Sequence, residues 1–267
     1  MSLKTASEFK DLAEFIVEAA KGRTLVEVVN TGIWGDALIH AGQREFFSHF
    51  GISYVQIPVW PKPWRGALWK MYKGRSLRPV GFVSGGGFMQ PWYDRPNEVR
   101  RASRSFGHFI LLPSTLGMTP VLESKKSDIW LRDKSQSTQY VDKYRFCHDM
   151  AFFLDPKPRR ASEELGLFFR KDKERVVGTL PPGNVDLSAK GTHSSDPEEF
   201  LDEIGRFEKI YTDRLHIGIA GALLGRETHL FPSRGGKTRA IFDASLRENY
   251  PNVEFHEGGL QELRLGI

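Results

Sequence analysis

Tyr211 to Gly225, reading YTDRLHIGIAGALLG, constrains this chain more than any other stretch. Lys209 to Tyr211 end an apolar strand, Thr212 or Asp213 can cap the next element, and Ile217 to Leu224 is a small-residue apolar run closed by Gly225. The spacing predicts a strand, a sharp polar turn and a helix. Such a turn belongs at the carboxyl end of an α/β sheet, where ligands bind, and a helix start there offers free N–H groups and a positive dipole end to an anion. Arg214 and His216 lie two apart. On extended backbone they share a face while Leu215 points to the core, whereas on a regular helix they diverge by about 200°. A non-helical first turn is therefore expected. A guanidinium beside an imidazole suits binding and protonation of an anion; the plainer alternative is a capped helix with a surface arginine and a packed histidine.

The same pattern recurs upstream. TLVEVVN (24 to 30) is a β-branched strand running into TGIWGDALIHAGQREFF, a glycine-punctuated turn and helix, and SYVQIPV (53 to 59) is the next strand; this βαβ spacing fits a parallel sheet. PVGFVSGGG (79 to 87) is a buried strand ending in Gly85, Gly86 and Gly87, which open backbone N–H groups to a ligand or make a plain turn. HFILLPS (108 to 114), DIWLR (128 to 132) and CHDMAFFL (147 to 154) read as further strands, the first two with polar residues at their ends, Ser114 and Arg132 among them. The charged, proline-rich DPKPRRASEE (155 to 164) marks a domain boundary. Beyond it a strand at 165 to 169 delivers Arg170, a helix spans 198 to 207, the 228 to 232 strand and a 237 to 249 helix come after the Tyr211 turn, and 253 to 255 is a last strand. The expected fold is α/β, two Rossmann-like domains at 1 to 154 and 155 to 267 facing a cleft.

Composition removes several classes. With 267 residues, 40% apolar and 27% charged, the chain is globular. A net charge of +5 favours anionic ligands but is too weak to imply nucleic acid, and no nucleic-acid-binding motif is present. The single cysteine, Cys147, excludes an internal disulfide and a cysteine-built zinc cluster, which suits a reducing cytoplasm. Residues 2 to 21 form an amphipathic helix, not a signal peptide, and no apolar run reaches the roughly 18 residues of a membrane span. Residues 59 to 78 concentrate Trp60, Trp64 and Trp69 among lysines and arginines, which fits an acceptor loop, contact with an anionic membrane surface, or a solvated face with its rings packed inward. Neither a dinucleotide fingerprint nor a P-loop occurs.

Eight segments together resemble the polysaccharide pyruvyl transferase family: GIWGDALI (32 to 39), VSGGG (83 to 87), LPST (112 to 115), LRDKSQ (131 to 136), HDMAFF (148 to 153), FFRKD (168 to 172), TDRLHIGIAGALLG (212 to 225) and GKTRAIFDASL (236 to 246). They stand in family order and cover most of the chain, and TDRLH with its helix is the most specific. The resemblance implies a glycosyltransferase-B-like fold, phosphoenolpyruvate as co-substrate with no other cofactor, and a pyruvate ketal on a saccharide of an exopolysaccharide or cell-wall glycan. Ile33 and Thr238 stand where the family often has asparagine, so contacts made by those asparagines are altered here.

That chemistry needs cations for a phosphate and a carboxylate, and one group that gives and takes protons near neutral pH. Arg170, Arg214 and Lys237 are the expected donor-binding residues and His216 the acid, its charged form disfavoured by the helix end and favoured by a bound trianion. Asp36, after a glycine turn, is expected to accept a hydrogen bond from an acceptor hydroxyl or act as base, unless it only caps its helix. Gly85 to Gly87, Ser114 and Arg132 are expected to line the cleft. His148 and Asp149 are adjacent on extended backbone and so diverge, which argues against a dyad. No metal is expected. The partners are phosphoenolpyruvate and a free or lipid-linked saccharide, with peripheral membrane contact, in the cytoplasm at the inner face of the membrane. Two readings compete: a glycosyltransferase using a nucleotide sugar, and a non-catalytic glycan- or membrane-binding module built on the tryptophan-rich stretch.

Overall fold

The structure, a computed structural model, describes residues 2–58, 78–176 and 178–258. The tryptophan-rich stretch thus lies, apart from Arg78, outside the described residues. The chain is mixed α/β and divides into two compact units, one of Thr5–Thr31 and Gln43–Met150, the other of Met1–Lys4, Gly32–Gly42 and Ala151–Ile267. The change at Met150 lies close to the expected 154/155 boundary. The GIWGDALI segment, by contrast, groups with the C-terminal unit.

The first unit holds, among the described residues, a seven-stranded parallel sheet: β1 (Leu25–Val29), β2 (Val55–Pro58), β3 (Val80–Val83), β4 (Gly86–Met89), β5 (His108–Leu116), β6 (Lys126–Leu131) and β7 (Arg145–Phe146). Their order is β2-β1-β3-β5-β6-β7, with β4 on β5. The order reverses between β1 and β3, the switch point that such sheets use for ligands. β1, β3 and β5 read as near-continuous apolar runs because helices and connections cover both faces, and every residue of β5 is buried. One carboxylate interrupts this core. Glu27 of β1 accepts hydrogen bonds from Gln43, Ser84 and Gln56 at 2.8, 2.8 and 2.7 Å, so three neutral donors offset its burial.

Helix α1 (Ser7–Ala20) buries Phe9, Leu12, Ala13, Ile16 and Ala19 along one stripe, while Val17 is exposed. Helix α2 (Asp36–His49) comes after the glycine turn that ends β1. Helix α3 (Arg95–Ser103), which no strong apolar period announces, starts with a proline in its first turn. The strand expected over 147 to 154 does not form. β7 ends at Phe146 and a 3-10 turn takes Met150–Phe153, directly after Asp149, whose carboxylate is held by the buried Arg132.

The second unit holds a four-stranded parallel sheet in the order β11-β10-β9-β8, made of β8 (Glu163–Phe168), β9 (Phe207–Thr212), β10 (Glu227–Leu230) and β11 (Val253–Phe255). Helix α4 (Pro197–Gly205) is capped by Asp196, whose side chain accepts from the Glu198 N–H. Helix α5 (Leu215–Leu223) lies close to the sheet because it is built of small residues: a Cβ on Gly218 would come within 2.5 Å of Leu230. The expected 237 to 249 helix is shorter. α6 (Lys237–Ile241) passes into a π-helical turn at Phe242–Leu246. No helix among the described residues is long and apolar enough to cross a membrane.

Candidate active site

Strand β9 ends at Thr212, the chain bends at Asp213, and Arg214 occupies the N-cap position of α5 in an extended conformation with φ −95° and ψ 115°. The anticipated caps play other parts. Thr212 Oγ1 accepts from the Arg214 N–H at 2.9 Å and donates to the Phe168 carbonyl at 2.7 Å, tying β9 to β8. Asp213 accepts from the Arg170 N–H at 2.9 Å, so the last turn of β9 is locked to the residue that leaves β8. The expected non-helical first turn does not form: the break falls at Asp213 and Arg214, and Leu215 and His216 are already in the first helical turn of α5.

Asp36 and His216, expected from separate motifs, are brought together within this unit. Asp36 Oδ2 accepts from the Ile33 N–H at 3.0 Å, and Asp36 Oδ1 lies 3.8 Å from His216 Nδ1. Two glycines make the approach possible. A Cβ on Gly35 would stand 3.0 Å from His216 Cβ, and one on Gly32 would overlap the Asp36 carboxylate. A neighbouring loop supports this turn, with the His193 N–H bonded to the Gly32 carbonyl at 3.1 Å and an antiparallel bridge from Ile33 to Thr192. The side chain of His216 is mostly buried, whereas Asp36 keeps part of its carboxylate in water.

The three expected cations also converge, each on carboxylates. Arg214 meets Asp186 through two nitrogens, Nη2 and Nε, both at 2.7 Å, and reaches Asp172 from Nη2 at 2.9 Å. Burial pushes Asp186 up, but the Arg214 guanidinium, with the Lys171 N–H and the Ser188 hydroxyl, outweighs it and holds the carboxyl at about 2. Arg170 pairs with Glu174, and Lys237 reaches the same Glu174 at 2.5 Å. Lys237 opens α6 behind Gly236, whose φ of 67° is left-handed. Thr238 bonds inward, accepting from the Ser233 N–H at 3.2 Å.

Asp213 is the residue that motif reasoning treated only as a cap. It is fully buried, and burial raises its carboxyl to about 6 against the opposing pull of Arg170 and Arg214. Its Oδ2 lies 3.9 Å from Arg170 Nε and has no hydrogen-bond partner among the described residues. A carboxyl that changes protonation near pH 6, beside two arginines and at a helix start, marks functional ground. The signal available in the sequence was its place between Thr212 and Arg214 at a strand end.

The residues expected to line a cleft from the other unit differ. Ser114 and Arg132 are buried within it. Ser114 donates to the Leu112 carbonyl at 2.8 Å, and Arg132 donates to Thr115 at 2.9 Å and pairs with the equally buried Asp149. Gly85 is packed against β5, where a Cβ would strike the Pro113 carbonyl, and Gly86 and Gly87 begin β4. Gly85 is thus held by packing, and Ser114 and Arg132 by hydrogen bonds and an ion pair inside their own unit.

No curated protein matches the chain significantly. Among solved structures, a functionally uncharacterised protein from Klebsiella pneumoniae subsp. pneumoniae NTUH-K2044 is similar with a TM-score of 0.71 at 18% identity, over 95% of this chain and 100% of that one, which shows a shared fold. The polysaccharide pyruvyl transferase family model matches residues 35–233, a span that holds Asp36, Arg170, Asp213, Arg214 and His216, and the chain belongs to that family.

Proposed function

We propose that the protein transfers pyruvate from phosphoenolpyruvate to a pair of saccharide hydroxyls, forming a pyruvate ketal in exopolysaccharide or cell-wall glycan synthesis. The observation that carries this reading is the convergence of Asp36 and His216 at the start of α5. Arg170, Arg214 and Lys237 are gathered in the same unit. Family membership supplies the reaction class.

In the proposed sequence His216 gives a proton to the enol methylene of the donor, which becomes a methyl group and leaves a cationic centre at the neighbouring carbon. One acceptor hydroxyl adds there, and its proton returns to the imidazole. The bond from that carbon to the phosphate oxygen breaks, phosphate leaves, and the second hydroxyl closes the ketal, its proton leaving with phosphate. Asp36 stands on the Nδ1 side of the ring, 3.8 Å away, where it can accept a hydrogen bond from an acceptor hydroxyl. The guanidinium groups and Lys237 bind the donor's phosphate and carboxylate. The reading carries with it the glycosyltransferase-B-like arrangement, a free or lipid-linked acceptor, and work at the cytoplasmic face of a membrane.

Phosphate release from phosphoenolpyruvate with a panel of free and lipid-linked saccharides tests this. The expected result is acceptor-dependent release that falls by about a hundredfold or more in His216→Ala at saturating donor, while Arg170→Lys chiefly raises the KM for the donor. Full turnover by His216→Ala refutes the assignment of the acid. Thermal stabilisation by UDP but not by phosphoenolpyruvate would overturn the donor.

A further inference from the structure

A second cluster lies on the face of the four-stranded sheet opposite α5. Thr228 and Leu230 of β10 point to that helix, where they meet Gly221 and Gly218, so His229 points away. His229 is the register partner of Tyr211 on β9 and of Glu254 on β11, which sets the three side chains in one row. His256 stands two residues beyond Glu254, on the same side, and its N–H continues the ladder by bonding the Leu230 carbonyl at 2.9 Å.

We infer that His229, Glu254 and His256 form a binding site for a divalent transition-metal ion of the zinc class. His229 Nδ1 lies 2.7 Å from His256 Nε2 and 3.6 Å from Glu254 Oε2, and His256 Nε2 lies 3.9 Å from that oxygen. In a tetrahedral site with nitrogen and oxygen ligands about 2.0–2.2 Å from the ion, donor atoms stand about 3.3 Å apart. The three atoms need shifts of only about half an ångström to meet that geometry, and the shortest separation is one that a proton now bridges.

The surroundings prepare the ligands. His229 Nε2 faces Glu227 Oε1 at 2.9 Å, and Lys209 lies 2.9 Å from that same oxygen, so Glu227 is an ionised acceptor and Nε2 must be the donor. The Nδ1 lone pair is therefore directed at His256. A carboxylate on the outer nitrogen of a metal-binding histidine is the usual device for fixing its tautomer and raising its basicity. Both rings are held in place, His229 stacked on Tyr211 at 4.3 Å and 11°, and His256 on Phe231 at 5.0 Å and 18°. Glu254 is solvent-exposed, so an ion has a way in and water can complete its coordination. Two imidazoles with one carboxylate favour zinc, nickel or copper over magnesium or calcium. The ion would fasten β11, which is an edge strand among the described residues, to β10, in an assembly separate from the residues at the start of α5.

Titration of the tag-free, chelator-treated full chain with Zn2+ against a chromophoric chelator tests the site. The expected result is one equivalent of Zn2+ bound, no binding of Mg2+, and affinity lowered by about tenfold or more in both Glu254→Gln and His256→Ala. Co2+ should give a visible absorption band that both variants weaken. Both positions are at least partly exposed, and circular dichroism matching the parent chain shows that the variants fold. Absence of Zn2+ binding to the parent chain, or binding unchanged in both folded variants, overturns the inference.

Discussion

Asp213 offers a quantitative test of the candidate site that needs no substrate. Burial holds its carboxyl at about 6 when folded, against an ordinary 3.8. At about 1.4 kcal/mol per pH unit, that difference is worth about 3 kcal/mol. The sign is set by proton binding. Between pH 3.8 and 6 the folded chain holds this proton more tightly than the unfolded chain does, so the contribution of the neutral carboxyl is fully present below about pH 4. It is lost as pH rises through 6.

Asp213→Asn removes the titration and keeps an acceptor for the Arg170 N–H, which is 2.9 Å away in the parent chain. Urea unfolding of both proteins at intervals from pH 4 to 7 isolates the effect. Other titrating groups largely cancel in the difference between them, Asp186 included, whose own contribution is lost only as pH falls from about 4 towards 2. The parent chain should lose about 2 kcal/mol of that contribution relative to the variant between pH 4 and 7. A difference that stays flat, or that moves towards the parent chain as pH rises, would mean that Arg170 and Arg214 hold Asp213 ionised. The assignment of a near-neutral carboxyl would then fail.

Packing and charge set three further outcomes. Gly35→Ala places a Cβ 3.0 Å from His216 Cβ and should lower kcat by about a hundredfold with circular dichroism unchanged, because catalytic geometry tolerates displacements of well under an ångström. Asp149→Ala strands the buried Arg132 guanidinium and should cost about 3–5 kcal/mol in urea unfolding, with no direct effect on donor KM in the fraction that remains folded. Asp172→Asn releases attraction from both Arg170 and Arg214, which lie 3.5 and 2.9 Å from it, and should lower the donor KM in the phosphate-release assay.

The sheets were legible because buried parallel strands leave an unmistakable trace. LVEVV, VGFV and HFILL are apolar runs closed by polar or glycine turns, and each forms a strand where expected. The Tyr211 turn was legible in outline: the strand ends at Thr212, the chain turns at Asp213, and the helix starts at Leu215, so His216 is helical where an irregular first turn was expected. What escaped were features without a period. RPNEVRRAS buries only a narrow face, so its helical stripe is weak, and CHDMAFFL carries the apolar run of a strand but closes into a 3-10 turn at Met150–Phe153. Ser114 and Arg132 illustrate the same limit. A polar residue at a strand end can face a ligand or satisfy its own unit, and only the partners at Leu112, Thr115 and Asp149 decide.

The carboxylates were the least legible part, and they alter what the cations can do. Asp172, Glu174 and Asp186 come from the connection after β8, and Asp186 is 28 residues away in sequence from the arginine it holds. No spacing rule announces such a pair. Yet every expected donor-binding cation is met by at least one of these groups, so on the proposed reading a trianionic donor enters by exchange. Asp186 is anchored by backbone and side-chain donors besides Arg214, and Glu174 is buried between Arg170 and Lys237. Asp172 is the most exposed of the three; it touches both arginines through single contacts and accepts from the Glu174 N–H at 2.9 Å. Protonation of Asp213 removes one more negative charge from the same spot. On the proposed reading the donor meets a set of cations kept in register by carboxylates, in which the exposed Asp172 and the near-neutral Asp213 set how much positive charge is left for it.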